Sequence, residues 1–262
     1  MHPTQIVVFA FGAASIIGTL LLLLPFATAP GNSTSVVAAF FTAVSAVCIT
    51  GLTVVDTATH WSGFGQLVIM VLIQLGGLGI VSFATLLGLL VSGRISLRDR
   101  LNTLSEAKIV GADSLPKLLS RILIVYFGFE LVLATYLSLR LHFSYDEGVF
   151  QSIWHGTFHA ISAFNNGGFS LYTDSMTGFN QDMFFIAPVM LAVVVGGLGF
   201  PVLIELHERI WRLRLQPGGK AKRFSLHTRL TLWMTVSLIV LGALFIGAIE
   251  WNNPGTLGGL NT

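Results

Sequence analysis

The chain has 262 residues, of which 53% are hydrophobic and only 10% charged, with a formal net charge of +2 and a mean hydropathy of +0.80. Soluble domains carry about 25% charged residues, so the composition points to an all-α polytopic membrane protein and gives no argument for a nucleic-acid partner. Cys48 is the sole cysteine, which rules out an intrachain disulfide.

A membrane-crossing helix needs about 20 apolar residues, and five stretches supply them. The first is Ile6–Phe26. Ala27-Thr28-Ala29 imitates a signal-peptide cleavage site, but no Lys or Arg precedes Arg94 and the apolar run is longer than a signal core. It is therefore read as a span. A short apolar segment follows, about Thr34–Val47, with Asn32-Ser33-Thr34 as its expected N-cap. The second span is Leu67–Val91, and a basic loop runs from Gly93 to Lys117. Arg121–Leu139 is the third span and holds the one internal charge, Glu130. A second short segment, Phe150–Phe164, precedes the spans Met183–Ile204 and Leu230–Ile249, which flank a loop broken by Pro217-Gly218-Gly219.

Thirteen of the fourteen Lys and Arg fall between Arg94 and Arg121 or between Arg209 and Arg229. Basic residues gather on the cytoplasmic side, so both loops and the N-terminus are expected inside. Asp56, Asp146, Glu147, Asp174 and Asp182 then lie outside.

A repeat organises this order. Phe41-Thr42-Ala43-Val44-Ser45-Ala46 is matched by Phe158-His159-Ala160-Ile161-Ser162-Ala163, and each is followed after four residues by a glycine, Gly51 or Gly168. Each copy leads into a helix carrying Gly-Gly-Leu-Gly, at Gly76–Gly79 and Gly196–Gly199. The expected division is a span–pore–span repeat over 1–92, a basic loop over 93–117, a second repeat over 118–212, a basic loop over 213–227, and the first span of an incomplete third repeat over 228–262. Segments too short to cross are re-entrant, and their ends are tolerated at membrane depth where they line a watery cavity.

Such hairpins suit a dehydrated cation. Backbone carbonyls replace its water shell, glycine allows the chain to turn them inward, and the half-helix C-termini add partial negative charge. Ile49-Thr50-Gly51 and Asn166-Gly167-Gly168 are the expected filter strands, flanked by Cys48, Leu52, Asn165 and Phe169. A glycine turn without an ion is the alternative, and the duplication favours the ion.

Other residues have plainer readings. A dinucleotide fingerprint needs a strand before its glycines, whereas the Gly-Gly-Leu-Gly runs lie in apolar spans and are expected to let helices pack closely. Glu130 faces either a watery vestibule or a polar partner at a helix interface. His155 and His159 have a zinc-compatible spacing without a third ligand, so hydrogen bonding behind the filter is expected. Asp56 and Asp174 either concentrate cations at the mouth or are solvated loop residues. Glu205 is expected at the interface. No nucleophile–base or paired-carboxylate constellation suggests an enzyme, and no tightly bound cofactor is expected.

Ser45 to Asp56 together with Ile73-Gln74-Leu75-Gly76-Gly77-Leu78-Gly79 resemble the Trk/Ktr/HKT superfamily of potassium transporters, closest to its KtrB-like membrane subunits. The resemblance covers essentially the whole chain. It implies four span–pore–span units around one pore, with Gly51 and Gly168 as the first two of four filter glycines, and K+ as the substrate. It also implies a homodimer in the lipid bilayer of the bacterial plasma membrane, uptake assisted by Na+, and a cytoplasmic RCK (KtrA-like) regulatory subunit through which ATP or ADP acts. On this reading the basic loops either lie on anionic lipid or dock that regulator. The sequence stops in mid-repeat, which leaves a non-conducting half-transporter that assembles with a full-length partner, or a channel built from several copies, as alternatives.

Overall fold

The computed structural model describes residues 3–31, 33–79, 115–199, 202–203, 205–207, 209, 224–253 and 256. Among them the fold is all helical: α1 (Pro3–Leu22), α2 (Val36–Val47), α3 (Thr57–His60), α4 (Gly63–Gly77), α5 (Leu115–Tyr145), α6 (Val149–Phe164), α7 (Met183–Gly197) and α8 (Leu226–Glu250). The expected basic-loop features at 93–114 and Pro217-Gly218-Gly219 lie outside the described residues.

The two short helices form where the apolar pattern places them, with one correction at the first N-terminus. Ser35 caps α2, its hydroxyl accepting from the Ala38 N–H at 3.2 Å. The expected cap at Asn32-Ser33-Thr34 fails because Thr34 has another role, its Oγ1 lying 2.6 Å from His60 Nε2. That contact belongs to a clasp at one end of the first repeat. Ala29 N–H donates to the His60 carbonyl at 2.9 Å, Ser62 N–H to the Ala27 carbonyl at 2.9 Å, and Ser62 Oγ to the Phe26 carbonyl at 2.6 Å. The residues that imitate a cleavage site are thus held in a bridge between Thr28 and Trp61.

Within the spans expected over Leu67–Val91 and Met183–Ile204, the described residues include a helix end. Helix α4 ends at Gly77 and α7 at Gly197, and Gly79 and Gly199 follow with φ of 70° and 82°. The apolar run says nothing of backbone continuity, whereas left-handed φ is a conformation glycine adopts at no steric cost. Each Gly-Gly-Leu-Gly run thus terminates a helix. Among the described residues two helical segments, Ile122–Tyr145 and Leu226–Glu250, are long and apolar enough to cross a membrane.

Small residues on α2 set its packing. Ala39, Ala43 and Ala46 recur at helical spacing and are fully buried with Leu22, Trp61, Ile69, Leu72 and Ile73. Phe158 of α6 and Phe169 belong to the same core, so the second hairpin packs into the first repeat. A second core joins Leu133, Leu137 and Leu141 of α5 with Ala160, Phe179, Phe185 and Ala192. Residues 1–197 form one compact unit and 198–262 another. Within the latter, Ser225 caps α8, and the Glu205 carboxylate accepts from Ser225 N–H at 2.6 Å, from Ser225 Oγ at 2.7 Å and from the Thr228 hydroxyl. Glu205 thus holds a helix N-terminus, where a negative charge is favoured.

Candidate ion-conduction site

Each pore helix hands over to its strand by the same sequence of hydrogen bonds. At the end of α2, Cys48 N–H donates to Val44 O at 2.8 Å, Ile49 N–H to Ala46 O at 3.3 Å and Thr50 N–H to Ser45 O at 3.0 Å. At the end of α6, Asn165 N–H donates to Ile161 O at 3.0 Å, Asn166 N–H to Ala163 O at 3.1 Å and Gly167 N–H to Ser162 O at 2.6 Å. The repeated serine then fastens the far end of the strand: Ser45 Oγ donates to the Leu52 carbonyl and Ser162 Oγ to the Phe169 carbonyl, both at 2.7 Å. This role was missed at sequence level, although the serine stands in both copies of the motif.

Between these fixed ends the backbone alternates. Ile49 and Gly51 have φ of 57° and 71°, and Asn166 and Gly168 have φ of 58° and 72°. An extended strand sends successive carbonyls to opposite sides, and left-handed residues at alternate positions break that pattern. Asn tolerates the conformation, but a β-branched residue there is a genuine outlier, so Ile49 is held under strain. The two strands meet at their glycines: a Cβ on Gly51 would lie 3.0 Å from Gly168 Cα, and one on Gly168 would lie 2.8 Å from Gly51 Cα. Any larger residue at either position fills the space between the strands.

The Gly-Gly-Leu-Gly helices brace the same hairpins. A Cβ on Gly76 would run into the carbonyl of Val47, and one on Gly196 into that of Phe164. Val47 and Phe164 are the last residues of the two pore helices. The first glycine of each run is therefore the point where the following helix touches the end of the pore helix, a contact by close packing as expected.

Behind the second strand lies a buried polar group. Glu130 is 5% exposed and accepts at both oxygens, from Asn165 Nδ2 at 2.9 Å and Gln74 Nε2 at 2.8 Å. Asn165 Nδ2 also donates to the Ile161 carbonyl at 2.8 Å, and its Oδ1 accepts from the Tyr126 hydroxyl. Of the two readings of Glu130, the structure places it at the helix interface with amide partners. His159 is likewise enclosed and hydrogen-bonded. Leu171 N–H donates to its Nε2 at 3.2 Å, which makes Nδ1 the protonated nitrogen, donating to the His155 carbonyl at 2.7 Å. The ring stacks on Tyr172 at 5.0 Å.

Asp56 and Asp182 have defined partners. Asp56 caps α3 and accepts from Thr173 Oγ1 at 2.8 Å, which joins the two repeats. Burial pushes its carboxyl up, but the bonds from Thr173, Ala58 N–H and Thr59 outweigh this and hold it below its ordinary value. Asp182 takes a forked pair of bonds from Arg140 at 3.0 and 3.1 Å and one from Tyr145 at 2.9 Å. The Arg140 bonds in particular hold the Asp182 carboxyl below its ordinary value. Trp154 Nε1, donating to Gln66 Oε1 at 2.7 Å, is a further link between the repeats.

Comparison with known proteins agrees with this architecture. Residues 1–251 match the family model TrkH, described as a cation transport protein. The Ktr system potassium uptake protein B of Bacillus subtilis is 38% identical over 264 residues, 99% of this chain and 55% of its own length. The Ktr system potassium uptake protein D of the same organism is 34% identical, covering 97% of the chain and 55% of that protein. The potassium/sodium uptake protein NtpJ of Enterococcus hirae is 33% identical, covering 98% of the chain and 54% of that protein. The chain thus spans about half the length of these curated relatives. It belongs to the TrkH family of cation transport proteins.

Proposed function

We propose that this chain forms part of the wall of a potassium-uptake pore in the bacterial plasma membrane, as the membrane subunit of a Ktr/Trk-type system. The ion is stripped of water at the strands Ile49-Thr50-Gly51 and Asn166-Gly167-Gly168 and held by their backbone carbonyls, with Cys48, Leu52, Asn165 and Phe169 flanking the filter. It crosses from outside to inside down its electrochemical gradient, with no covalent step. The observation that carries this reading is the duplicated strand geometry, left-handed at alternate residues and set at the C-terminal ends of two short helices. Those helix ends carry partial negative charge and favour a cation over an anion.

The finer points of the reading follow from the family. The division into two span–pore–span repeats and a partial third, the cytoplasmic N-terminus, assembly as a homodimer, assistance by Na+ and control by an RCK-type subunit that binds ATP or ADP all belong to this proposal. The uptake named for the B. subtilis and E. hirae relatives supports potassium, with sodium as the second ion.

Gly168→Ser tests the assignment. A seryl Cβ is strained at φ 72° and meets Gly51 Cα at 2.8 Å, so the strand must widen. Uptake assays in cells lacking their own potassium systems should show a raised KM for potassium or weaker discrimination against sodium, at unchanged membrane abundance. Unchanged values of both would remove the filter assignment.

A further inference from the structure

Among the described residues, the polar group behind the second strand has no counterpart behind the first. In the repeat register Asn165 aligns with Cys48, and it is Asn165 that bonds to Glu130 and Tyr126 on α5 and lies within 3.4 Å of Gln74 Oε1 on α4. Asn165 is also the C-cap of α6 and the residue immediately before Asn166, where the backbone turns left-handed. Gly77 of α4 leaves the space for it, since a Cβ there would overlap the Asn165 side-chain oxygen. The amide is therefore gripped from three helices at the point where the strand begins.

Glu130 is the residue that orders this group. A neutral amide at its place has one acceptor atom, whereas the carboxylate offers two oxygens and accepts from Asn165 and Gln74 at once. Both of those side chains can rotate by half a turn and exchange oxygen for nitrogen. In its ionised form Glu130 is an acceptor-only partner and removes that freedom by requiring N–H from each. With Nδ2 turned to Glu130 and Ile161 O, Oδ1 is left facing the Tyr126 hydroxyl, which donates to it.

We infer that Glu130 is a positioning residue for ion selection: through Asn165 it fixes the start of the Asn166-Gly167-Gly168 strand, and so the spacing of that strand's carbonyls, without touching the ion. This rests on the filter reading above. It makes the two strands unequal among the described residues: the second begins at a side chain hydrogen-bonded to α4 and α5, whereas the first is tied by Ser45 within its own hairpin and packed against Gly76 of α4.

The test uses the protein as the cell makes it, with potassium uptake and its inhibition by sodium measured in uptake-deficient cells. Glu130→Gln keeps the shape and removes one acceptor, and should raise KM for potassium about tenfold and weaken discrimination against sodium, with membrane abundance unchanged. Repeating Glu130→Gln in an Asn165→Ala background should change both parameters little further, because the effect passes through Asn165. Gly168→Ser run in parallel separates the failures. If Gly168→Ser alters selectivity while Glu130→Gln does not, the positioning role is wrong and the filter stands. If both are silent, the filter reading falls with it. A further loss in the Asn165→Ala background as large as that in the parent protein overturns the inference by marking an action that bypasses Asn165, and a loss of membrane abundance alone overturns it by marking a folding role.

Discussion

Removing the serine hydroxyl from the motif should affect the two repeats unequally, and the structure says by how much. Ser162 Oγ donates to the Phe169 carbonyl, and Phe169 is 2% exposed. In Ser162→Ala that carbonyl loses its donor where water cannot replace it, which costs about 1–3 kcal/mol. Ser45 Oγ donates to the carbonyl of Leu52, which is 62% exposed. Water can take over there, and Thr50 Oγ1, which donates to Ser45 Oγ at 2.8 Å, keeps a second contact to the Ser45 carbonyl at 3.4 Å. Ser45→Ala should therefore cost about 0.5–1.5 kcal/mol, the net worth of an ordinary hydrogen bond. Each 1.4 kcal/mol is tenfold in an equilibrium constant, so the fixed form of the second strand loses about 5- to 150-fold against its alternatives. Ion affinity falls with the fraction of molecules in the competent form. Potassium uptake against concentration in uptake-deficient cells should show a larger rise in KM for Ser162→Ala than for Ser45→Ala, where the change should stay below about twelvefold. Equal effects, or a larger one at Ser45, would refute the argument that burial of the accepted carbonyl decides the outcome.

Two further changes test the backbone and the brace. Ile49→Asn places in the first strand the residue type that the second uses at the same left-handed position, and should relieve about 1 kcal/mol of strain. Thermal unfolding in detergent should move upward by about 2–4 °C, and a lower midpoint would show that Ile49 is not strained. Gly196→Ala drives a Cβ into the Phe164 carbonyl and should cost about 1–3 kcal/mol by overpacking, read as a lower midpoint and less protein in the membrane. Gly128→Ala, where a Cβ meets nothing within 4 Å, is its control and should leave both unchanged.

The parts of this fold that are legible in the sequence are the local ones. The two short helices were placed within two residues of their observed starts and at their observed ends, because an apolar run bounded by polar residues and glycine marks both limits. The strand positions Ile49–Gly51 and Asn166–Gly168 follow from the repeat, and both contain the left-handed residues that a turning strand requires. What escaped was set by distant partners. Glu130 bonds to residues 35 and 56 positions away, and no pattern within its own helix indicates which neighbour it meets. Thr34 reads as a cap until His60 claims its hydroxyl. The glycines of Gly-Gly-Leu-Gly have two uses, close contact and left-handed backbone, and hydropathy does not separate them. Gly76 shows the first and Gly79 the second.

The serine tether has a consequence for the order in which the molecule is made. Each tether closes a loop of only seven residues, from Ser45 to Leu52 and from Ser162 to Phe169, and short loops close at little entropic cost. Each strand can therefore take its curvature while its own hairpin is emerging, the first of them before the second repeat has been synthesised. The distance between the two strands is a different kind of quantity. It exists only once Gly51 has met Gly168, 117 positions along the chain, and is set by whatever docks the two halves: Thr173 on Asp56, Trp154 on Gln66, and Asn165 on Gln74. Shape is inherited with each hairpin, whereas calibre is acquired at assembly.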